Sequence, residues 1–287
     1  MKTTKEWKKY HQLSLSILKQ LGFGAKSTME SRILTELQFI TDYALKQNGA
    51  SFNPRELLYL STTNIIMNIV FGRRRDYNLG MTDLAVQVRR GFDNLDPVLD
   101  VAPLLRFLPY HRNILLQQID CQKMLQEILR VEIEKSAEVG ADDCFVRRYV
   151  ERVGEDYDHD QLRFTIRDLV GAGTDTTANA LRWFLIVLAN YQDVQNRLRA
   201  EIDAAVPRGR LPSLNDQSKL PFVDATILEI LRWRPLVPLA LPHMSLCDTN
   251  VGDFFIPAGT LVSLSLYIPI TNIHYSAFRH KSCFSLF

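Results

Sequence analysis

The chain has 287 residues, of which 46% are hydrophobic and 23% charged, the composition of a globular protein long enough to bury a sizeable core. Its net charge of +2 is too small to favour nucleic-acid binding, which excludes that class of function. The run Arg73-Arg74-Arg75 is interpreted as solvated surface or loop residues. No apolar leader and no run of 18 apolar residues occur, so neither secretion nor a membrane span is predicted for the chain as written.

The first two-thirds of the chain is predicted to be a series of helices. The first helix is predicted over residues 27–48, with a serine cap and an Asn-Gly stop, and the second over 53–72, ending at a glycine. Residues 112–140 form a long amphipathic helical pattern. Between the predicted helices 53–72 and 112–140, the apolar stretch 93–112 contains three prolines and is predicted to break regular structure.

The C-terminal third begins with an unusually long helical pattern. A single helix of about thirty residues is predicted over 158–190. A second helix over 191–206, a proline- and glycine-rich connector and a shorter helix over 222–233 follow it. After Pro235, short β-prone runs alternate with turn residues. The predicted fold class is therefore mainly α, with a small β element near the C-terminus.

Four cysteines are spread along the chain without the spacing of a zinc site: Cys121, Cys144, Cys247 and Cys283. We predict reduced thiols in a cytosolic setting. Cys121 lies inside a helical pattern and is predicted to belong to the core.

The middle of the long helix has a composition that ordinary helix stability does not favour. Gly171 and Gly173 each cost about 1 kcal/mol relative to alanine, and three threonines follow them. One interpretation is a groove where a flat ligand lies against the backbone, beside the acid Asp175 and the alcohol of Thr176. The other is a helix crossing, where small residues permit close packing. The sequence pattern alone leaves both open.

Glu229 and Arg232 are three residues apart on one helix, where an ion pair forms readily. Their neighbours Leu228, Ile230 and Leu231 are apolar. We therefore predict that this pair is buried and held by further partners.

Four motifs in order, "GAGTDTT", "LEILRWRP", "LPH" and "GDFFIPAGT", resemble the second half of a cytochrome P-450, a haem-thiolate monooxygenase. The likeness is greatest to the animal microsomal branch that includes steroid- and drug-hydroxylating enzymes. The earlier stretches "EWKKYHQLSLSILKQLGFGAKSTMESRILTE" and "TTNIIMNIVFGRRRDY" are similar to that branch as well. The resemblance runs from about Trp7 to about Tyr267 and implies a truncated cytochrome P-450 fold.

Carried over by position, the resemblance implies a haem cofactor and assigns roles to individual residues. Thr176 is the alcohol expected to hydrogen-bond dioxygen over the haem, and Asp175 is the acidic partner that relays protons. Glu229 and Arg232 form the structural pair that anchors the core behind the haem. The implied cofactor-binding residues are Trp7, His11, Ala172, Gly173 and His243, of which His11 stands where the family usually has arginine.

The resemblance also indicates which segments surround the substrate. The stretch from Asp93 to Tyr110 is the implied roof of the substrate pocket and membrane-facing loop. Val237 to Leu241 is an implied strand that lines the pocket.

The likeness ends after about Tyr267, and the tail that follows contains no glycine. The family's iron ligand is the cysteine of an F-x-x-G-x-x-x-C-x-G motif, which the sequence lacks. Cys283 has no glycine-framed turn, and His274 lies four residues beyond the family's histidine position, so no metal ligand is assigned. We predict a partial domain over residues 1–267, without the family's N-terminal anchor, and a divergent tail over 268–287 that is not native to the fold.

The implied function is O2-dependent hydroxylation of an apolar small molecule, with electrons from an NADPH-dependent reductase at the endoplasmic reticulum membrane. Because the cysteine loop is absent, we expect the chain as written to be inactive. Its lack of an anchor leaves a cytoplasmic location open. The alternative is a non-catalytic helical scaffold that binds hydrophobic ligands or a full-length relative.

Overall fold

The computed structural model describes residues 5–23, 26–74, 83–94, 98–137, 143–154 and 157–266. It divides into two compact units, residues 1–178 and 179–287, within the stretch that the sequence predicts as one domain. The predicted tail, with His274 and Cys283, lies outside the described residues.

The first unit is helical throughout. Its helices are α1 (Lys5–Gln20), α2 (Lys26–Lys46), α3 (Arg55–Phe71), α4 (Asp83–Asp93), α5 (Val98–Val101), α6 (Pro109–Ala137) and α7 (Phe145–Val153), followed by α8 (His159–Asn190), which continues into the second unit. The predicted thirty-residue helix is confirmed, since α8 has 32 residues.

Helix α3 lies at the centre of the first unit. Nearly all of its side chains are buried, including the polar Ser61, Thr62, Thr63 and Asn64, as expected for a helix enclosed by others. Its start and end follow the sequence prediction. The Asn53 side chain accepts a hydrogen bond from the Arg55 amide at 3.0 Å, and Gly72 ends the helix in the left-handed conformation at φ 74°.

Two helices, α4 and α7, are not predicted from the sequence, because each has only nine to eleven residues. The proline-containing stretch 93–112 is also more regular than expected. It holds α5 and a 3₁₀ turn at Pro103–Phe107, and Pro109 begins α6. Proline is tolerated at the first turn of a helix, so these prolines separate short helices rather than abolish them.

Arg73 and Arg74 lie in the loop after α3, as predicted, and both also form ion pairs. Arg73 Nε lies 3.5 Å from the buried Glu132 carboxylate, and Arg74 Nε lies 2.9 Å from the buried Glu36 carboxylate. Buried carboxylates require such partners, and each comes from a distant helix. Arg75 lies outside the described residues.

The second unit combines helices with short strands. It contains the end of α8, then α9 (Gln192–Ala205), a 3₁₀ turn (Leu214–Lys219) and α10 (Pro221–Trp233). Strand β1 (His243–Met244) pairs antiparallel with β4 (Leu261–Val262), and β2 (Thr249–Val251) pairs antiparallel with β3 (Phe254–Ile256). The mainly α class with a small β element is confirmed.

The start of α10 is fixed by a carboxylate from α9. The two oxygens of Glu201 accept hydrogen bonds from the Phe222 amide at 3.0 Å and from the Val223 amide at 2.9 Å. A helix leaves its first amides without intrahelical partners, and a negative charge there also complements the helix dipole. Glu201 therefore ties α9 and α10 together.

No helix in the described segments is both long and apolar enough to cross a membrane.

The cysteines differ strongly in accessibility. Cys121 and Cys144 are buried, which confirms Cys121 as core, and burial raises the pKa of both thiols. Cys247 is exposed. Because the thiolate is the reactive form, we expect Cys247 to react with Ellman's reagent at least about a hundredfold faster than the two buried thiols. Stopped-flow absorbance in a Cys283→Ser background measures how many thiols react in the fast phase. A second thiol in that phase would contradict the prediction.

Candidate functional site

The glycine- and threonine-rich middle of α8 has one inner and one outer face. Val170, Thr174 and Ala178, spaced four residues apart, are fully buried or nearly so. Ala172 and Thr176, also four apart, are exposed. A period of 3.6 residues per turn produces this division. Only small side chains therefore project from the exposed face at these two positions.

The two glycines in this stretch lie against other helices of the first unit. A Cβ at Gly173 would lie 3.1 Å from Cδ1 and 3.3 Å from Cγ1 of Ile66 in α3. A Cβ at Gly171 would lie 3.8 Å from the Phe92 ring in α4, an ordinary contact. Close helix packing therefore accounts for Gly173 in this structure. Its predicted contact with a cofactor stays a prediction.

Thr176 is hydrogen-bonded within its own helix. Its Oγ1 donates to the Ala172 carbonyl oxygen at 2.7 Å. This bond fixes the hydroxyl rotor, and a hydroxyl that donates once still has lone pairs that can accept a bond. The exposed face thus presents an alcohol in a defined position.

Asp175 extends in a different direction from Thr176. Its Oδ1 accepts a hydrogen bond from Oη of Tyr59, a residue of α3 that is 2% exposed. The sequence does not indicate a role for Tyr59, because nothing in the local pattern of α3 distinguishes it from the other buried residues there. A contact between residues 116 apart can be found only in the fold.

Trp7 and His11 lie together on α1, as their spacing of four predicts. Their rings are stacked with centroids 4.8 Å apart and an interplanar angle of 14°. Both side chains are exposed. The indole N–H is a hydrogen-bond donor, and the imidazole donates through one or both nitrogens, so the pair can bind carboxylates. His243, in β1 of the second unit, is likewise exposed.

Glu229 and Arg232 form the predicted ion pair, but the pair is not buried as a whole. Arg232 Nε and Nη2 lie 2.7 and 2.6 Å from the two oxygens of Glu229. The Glu229 residue is 8% exposed, whereas the Arg232 side chain is 62% exposed. The expectation of full burial is wrong because the apolar neighbours Leu228 and Leu231 are exposed within this unit.

Of the two implied pocket walls, only the strand differs from expectation. Leu104, Phe107 and Tyr110 in the implied roof are at least 70% exposed. The implied strand at Val237–Leu241 is a turn, closed by a bond from the Ala240 amide to the Val237 carbonyl at 2.9 Å. Prolines at 235, 238 and 242 remove the amide donors that a strand requires.

Two groups of residues in the first unit have the chemistry that the implied haem requires. Trp7 and His11 offer N–H groups, and α8 offers a face of small side chains with one fixed alcohol. These groups fit the edge and one face of a flat macrocycle with carboxylate arms. Among the residues that the structure describes, no cluster of three or more His, Cys, Asp or Glu could hold a metal ion by itself.

Residues 1–272 match the model of the family described as Cytochrome P450. The chain is 32% identical to Cytochrome P450 2U1 of Mus musculus over 276 residues, which cover 91% of this chain and 52% of that protein. It is 31% identical to Cytochrome P450 2C25 of Mesocricetus auratus, covering 91% and 56% of the two chains. It is also 31% identical to Cytochrome P450 2F2 of Rattus norvegicus, covering 96% and 58%. The chain thus spans about half the length of the curated relatives it matches.

Proposed function

Because this chain belongs to the cytochrome P450 family, we propose that it carries the oxygen-handling part of a haem monooxygenase. The reaction inserts one atom of O2 into an apolar small molecule. The observation that carries this proposal is the exposed face of α8, where Ala172 and the fixed hydroxyl of Thr176 stand beside the acid Asp175. The family assignment made from the sequence motifs is confirmed.

Haem, when bound, supplies the activation of dioxygen. In the first unit, the residues that would hold it are Trp7 and His11, as donors to its propionate carboxylates, and Ala172 and Gly173 along the face of α8. His243 has the same donor role only by the family resemblance. Carboxylates bound by N–H donors gain charge-assisted hydrogen bonds. The stacking of Trp7 on His11 orients both rings before any ligand arrives, which reduces the entropy lost on binding.

In this proposal, Thr176 and Asp175 deliver protons to the candidate site. The Thr176 hydroxyl is held by the Ala172 carbonyl, so its oxygen accepts a further hydrogen bond at a fixed position. Asp175 is the carboxyl next to it in the chain, and a carboxyl is a group that can relay protons. An ordered alcohol next to an acid delivers protons to one place rather than at random.

Glu229 and Arg232 have a structural role in the proposal. Their bidentate pairing closes the last turn of α10, and bidentate pairs are the geometrically specific ones.

The exposed Leu104, Phe107 and Tyr110 match an apolar substrate roof. By family, electrons come from an NADPH-dependent reductase at the endoplasmic reticulum membrane.

We propose further that the 287 residues alone are inactive, because they contain no F-x-x-G-x-x-x-C-x-G motif. With haem added and reduced under carbon monoxide, the recombinant chain is expected to lack the difference spectrum typical of a haem thiolate. Absorbance spectroscopy at one equivalent of haem checks this. A full thiolate-type spectrum would contradict the inactivity.

The oxygen-handling role is tested in a chimera in which residues 1–267 replace the matched segment of mouse Cytochrome P450 2U1. We expect this chimera to give the thiolate spectrum. Thr176→Ala is expected to raise severalfold the fraction of consumed NADPH recovered as hydrogen peroxide, because protons then arrive without direction.

The matched control in the chimera is Thr165→Ala. Thr165 also lies in α8 and donates the same type of bond, to the Gln161 carbonyl at 2.9 Å. An equal rise of peroxide in both variants would show a general effect on α8 and remove the assigned role of Thr176.

A second candidate function, a non-catalytic scaffold, is favoured by one observation. The segment 237–266 exposes large apolar side chains, with Leu246 at 76% and Phe254 at 77%. Such surface is typical of a binding face. If the chimera takes up no haem while the isolated chain binds a full-length relative in a pull-down, this function replaces the first.

A further inference from the structure

A hydroxyl and a carboxylate meet between α3 and α8 inside the first unit. Oη of Tyr59 donates to Oδ1 of Asp175. Tyr59 is 2% exposed, whereas Asp175 is only partly buried. The contact therefore joins a residue fixed in the core to a residue at the edge of the candidate site.

The position of Tyr59 is strongly constrained. The Thr63 hydroxyl donates to the Tyr59 carbonyl at 2.7 Å, and the Thr62 hydroxyl donates to the same oxygen at 3.1 Å. Two turns further along α3, Ile66 lies against Gly173 of α8. Ile66 and Gly173 are thus a second point at which α3 and α8 meet, in addition to the contact of Tyr59 with Asp175.

This contact determines the direction of the acid. Asp175 and Thr176 are consecutive and so lie about 100° apart around the helix. Tyr59 holds the carboxylate toward α3, while the Thr176 hydroxyl stays on the exposed face. A protonated carboxyl accepts hydrogen bonds through its carbonyl oxygen. A donor on Oδ1 therefore favours Oδ2 as the oxygen that carries the proton.

We propose that Tyr59 is a positioning residue that fixes the orientation of Asp175 and selects the oxygen on which this acid is protonated. This inference rests on the proposed function, in which Asp175 supplies protons beside Thr176. Tyr59 itself acts through Asp175 and has no contact with substrate in the proposal.

The chain contains a matched control. Tyr149 is fully buried in α7, and its hydroxyl has no hydrogen-bond partner among the described residues. Tyr149→Phe and Tyr59→Phe thus each remove one buried hydroxyl and keep the ring. Only Tyr59→Phe removes a bond to Asp175.

The decisive measurement is infrared spectroscopy of the full chain without haem. The Asp175 carboxylate band is identified as the difference between the wild type and Asp175→Asn. We expect Tyr59→Phe to shift this band and Tyr149→Phe to leave it unchanged, which a merely structural role of Tyr59 would not produce.

A double-mutant cycle gives a second, independent measure. Tyr59→Phe and Asp175→Ala are expected to be coupled by about ten- to a hundredfold in the unfolding equilibrium constant, the size typical of a hydrogen bond to a charged group. Tyr149→Phe and Asp175→Ala should show no coupling. An unshifted carboxylate band, or a coupling equal to that of the Tyr149 cycle, overturns the proposal.

The two proposals fail separately. Neither the infrared measurement nor the double-mutant cycle involves haem. A negative result in either one therefore rules out the role of Tyr59, while the monooxygenase proposal is tested only in the chimera. In a chimera that takes up haem, Tyr59→Phe is expected to raise the peroxide fraction and Tyr149→Phe to leave it unchanged. Equal fractions in both variants also overturn the role of Tyr59.

Discussion

Glu36→Ala is expected to lower the free energy of unfolding of the first unit by about 2–3 kcal/mol. Glu36 is 3% exposed, and its carboxylate accepts a hydrogen bond from Arg74 Nε at 2.9 Å. Asn64 Nδ2 lies 3.5 Å from its other oxygen. Removing the carboxylate takes one ion pair from a guanidinium that is only 26% exposed, and the desolvation of this charge is the main cost.

The measurement is urea unfolding followed by Trp7 fluorescence in a Trp183→Phe/Trp233→Phe background, since the other two tryptophans lie in the second unit. Glu127→Ala is the control, because Glu127 pairs with Arg130 at 2.6 Å on an exposed face. Its midpoint should equal that of the parent. Equal midpoints for Glu36→Ala and Glu127→Ala would falsify the prediction.

Gly173→Val is expected to destabilise the first unit by about 1–3 kcal/mol, through overpacking against Ile66. The 3.1 Å separation of a Cβ from Cδ1 of Ile66 is shorter than nearly all real contacts, and valine adds two methyl groups beyond that Cβ. The helix preference for valine over glycine offsets only part of this cost.

Two further variants isolate the cause. Gly171→Ala has an ordinary contact with Phe92 and is expected to stabilise the unit by up to about 1 kcal/mol. Adding Ile66→Ala to Gly173→Val should recover part of the lost stability, whereas the same change alone should only destabilise. If Ile66→Ala is equally costly in both backgrounds, the two residues do not meet as described. The same unfolding assay measures all of these variants.

The sequence predicts those elements whose ends are set by nearby glycine or proline residues or whose periodicity is long. The left-handed Gly72 ends α3, and Pro207 follows α9, because glycine and proline act within one or two residues of themselves. The long α8 was predictable because its periodicity persists over many turns. The short helices α4 and α7 were not, since nine to eleven residues contain too few repeats of the pattern.

The errors concern partners that lie far apart in the chain. Arg74 lies in a loop as predicted, but its ion pair with Glu36, 38 residues earlier in the chain, is not predictable from its own neighbours. Arg232 was predicted as buried because its neighbours are apolar, but Leu228 and Leu231 are exposed. Within the candidate site, helical spacing alone explains why Trp7 lies beside His11, whereas Tyr59 could be found only from the contact itself.

The carboxylate of Glu201 at the start of α10 has a consequence for the order in which the chain folds. This contact closes a loop of 21 residues, whereas the contact between Tyr59 and Asp175 closes one of 116. Because the entropy of loop closure grows with the logarithm of loop length, the longer closure costs about 1.5 kcal/mol more. The contact between α9 and α10 can therefore form early in folding. The contact between α3 and α8 requires the closure of a much longer segment of chain and is expected to form later.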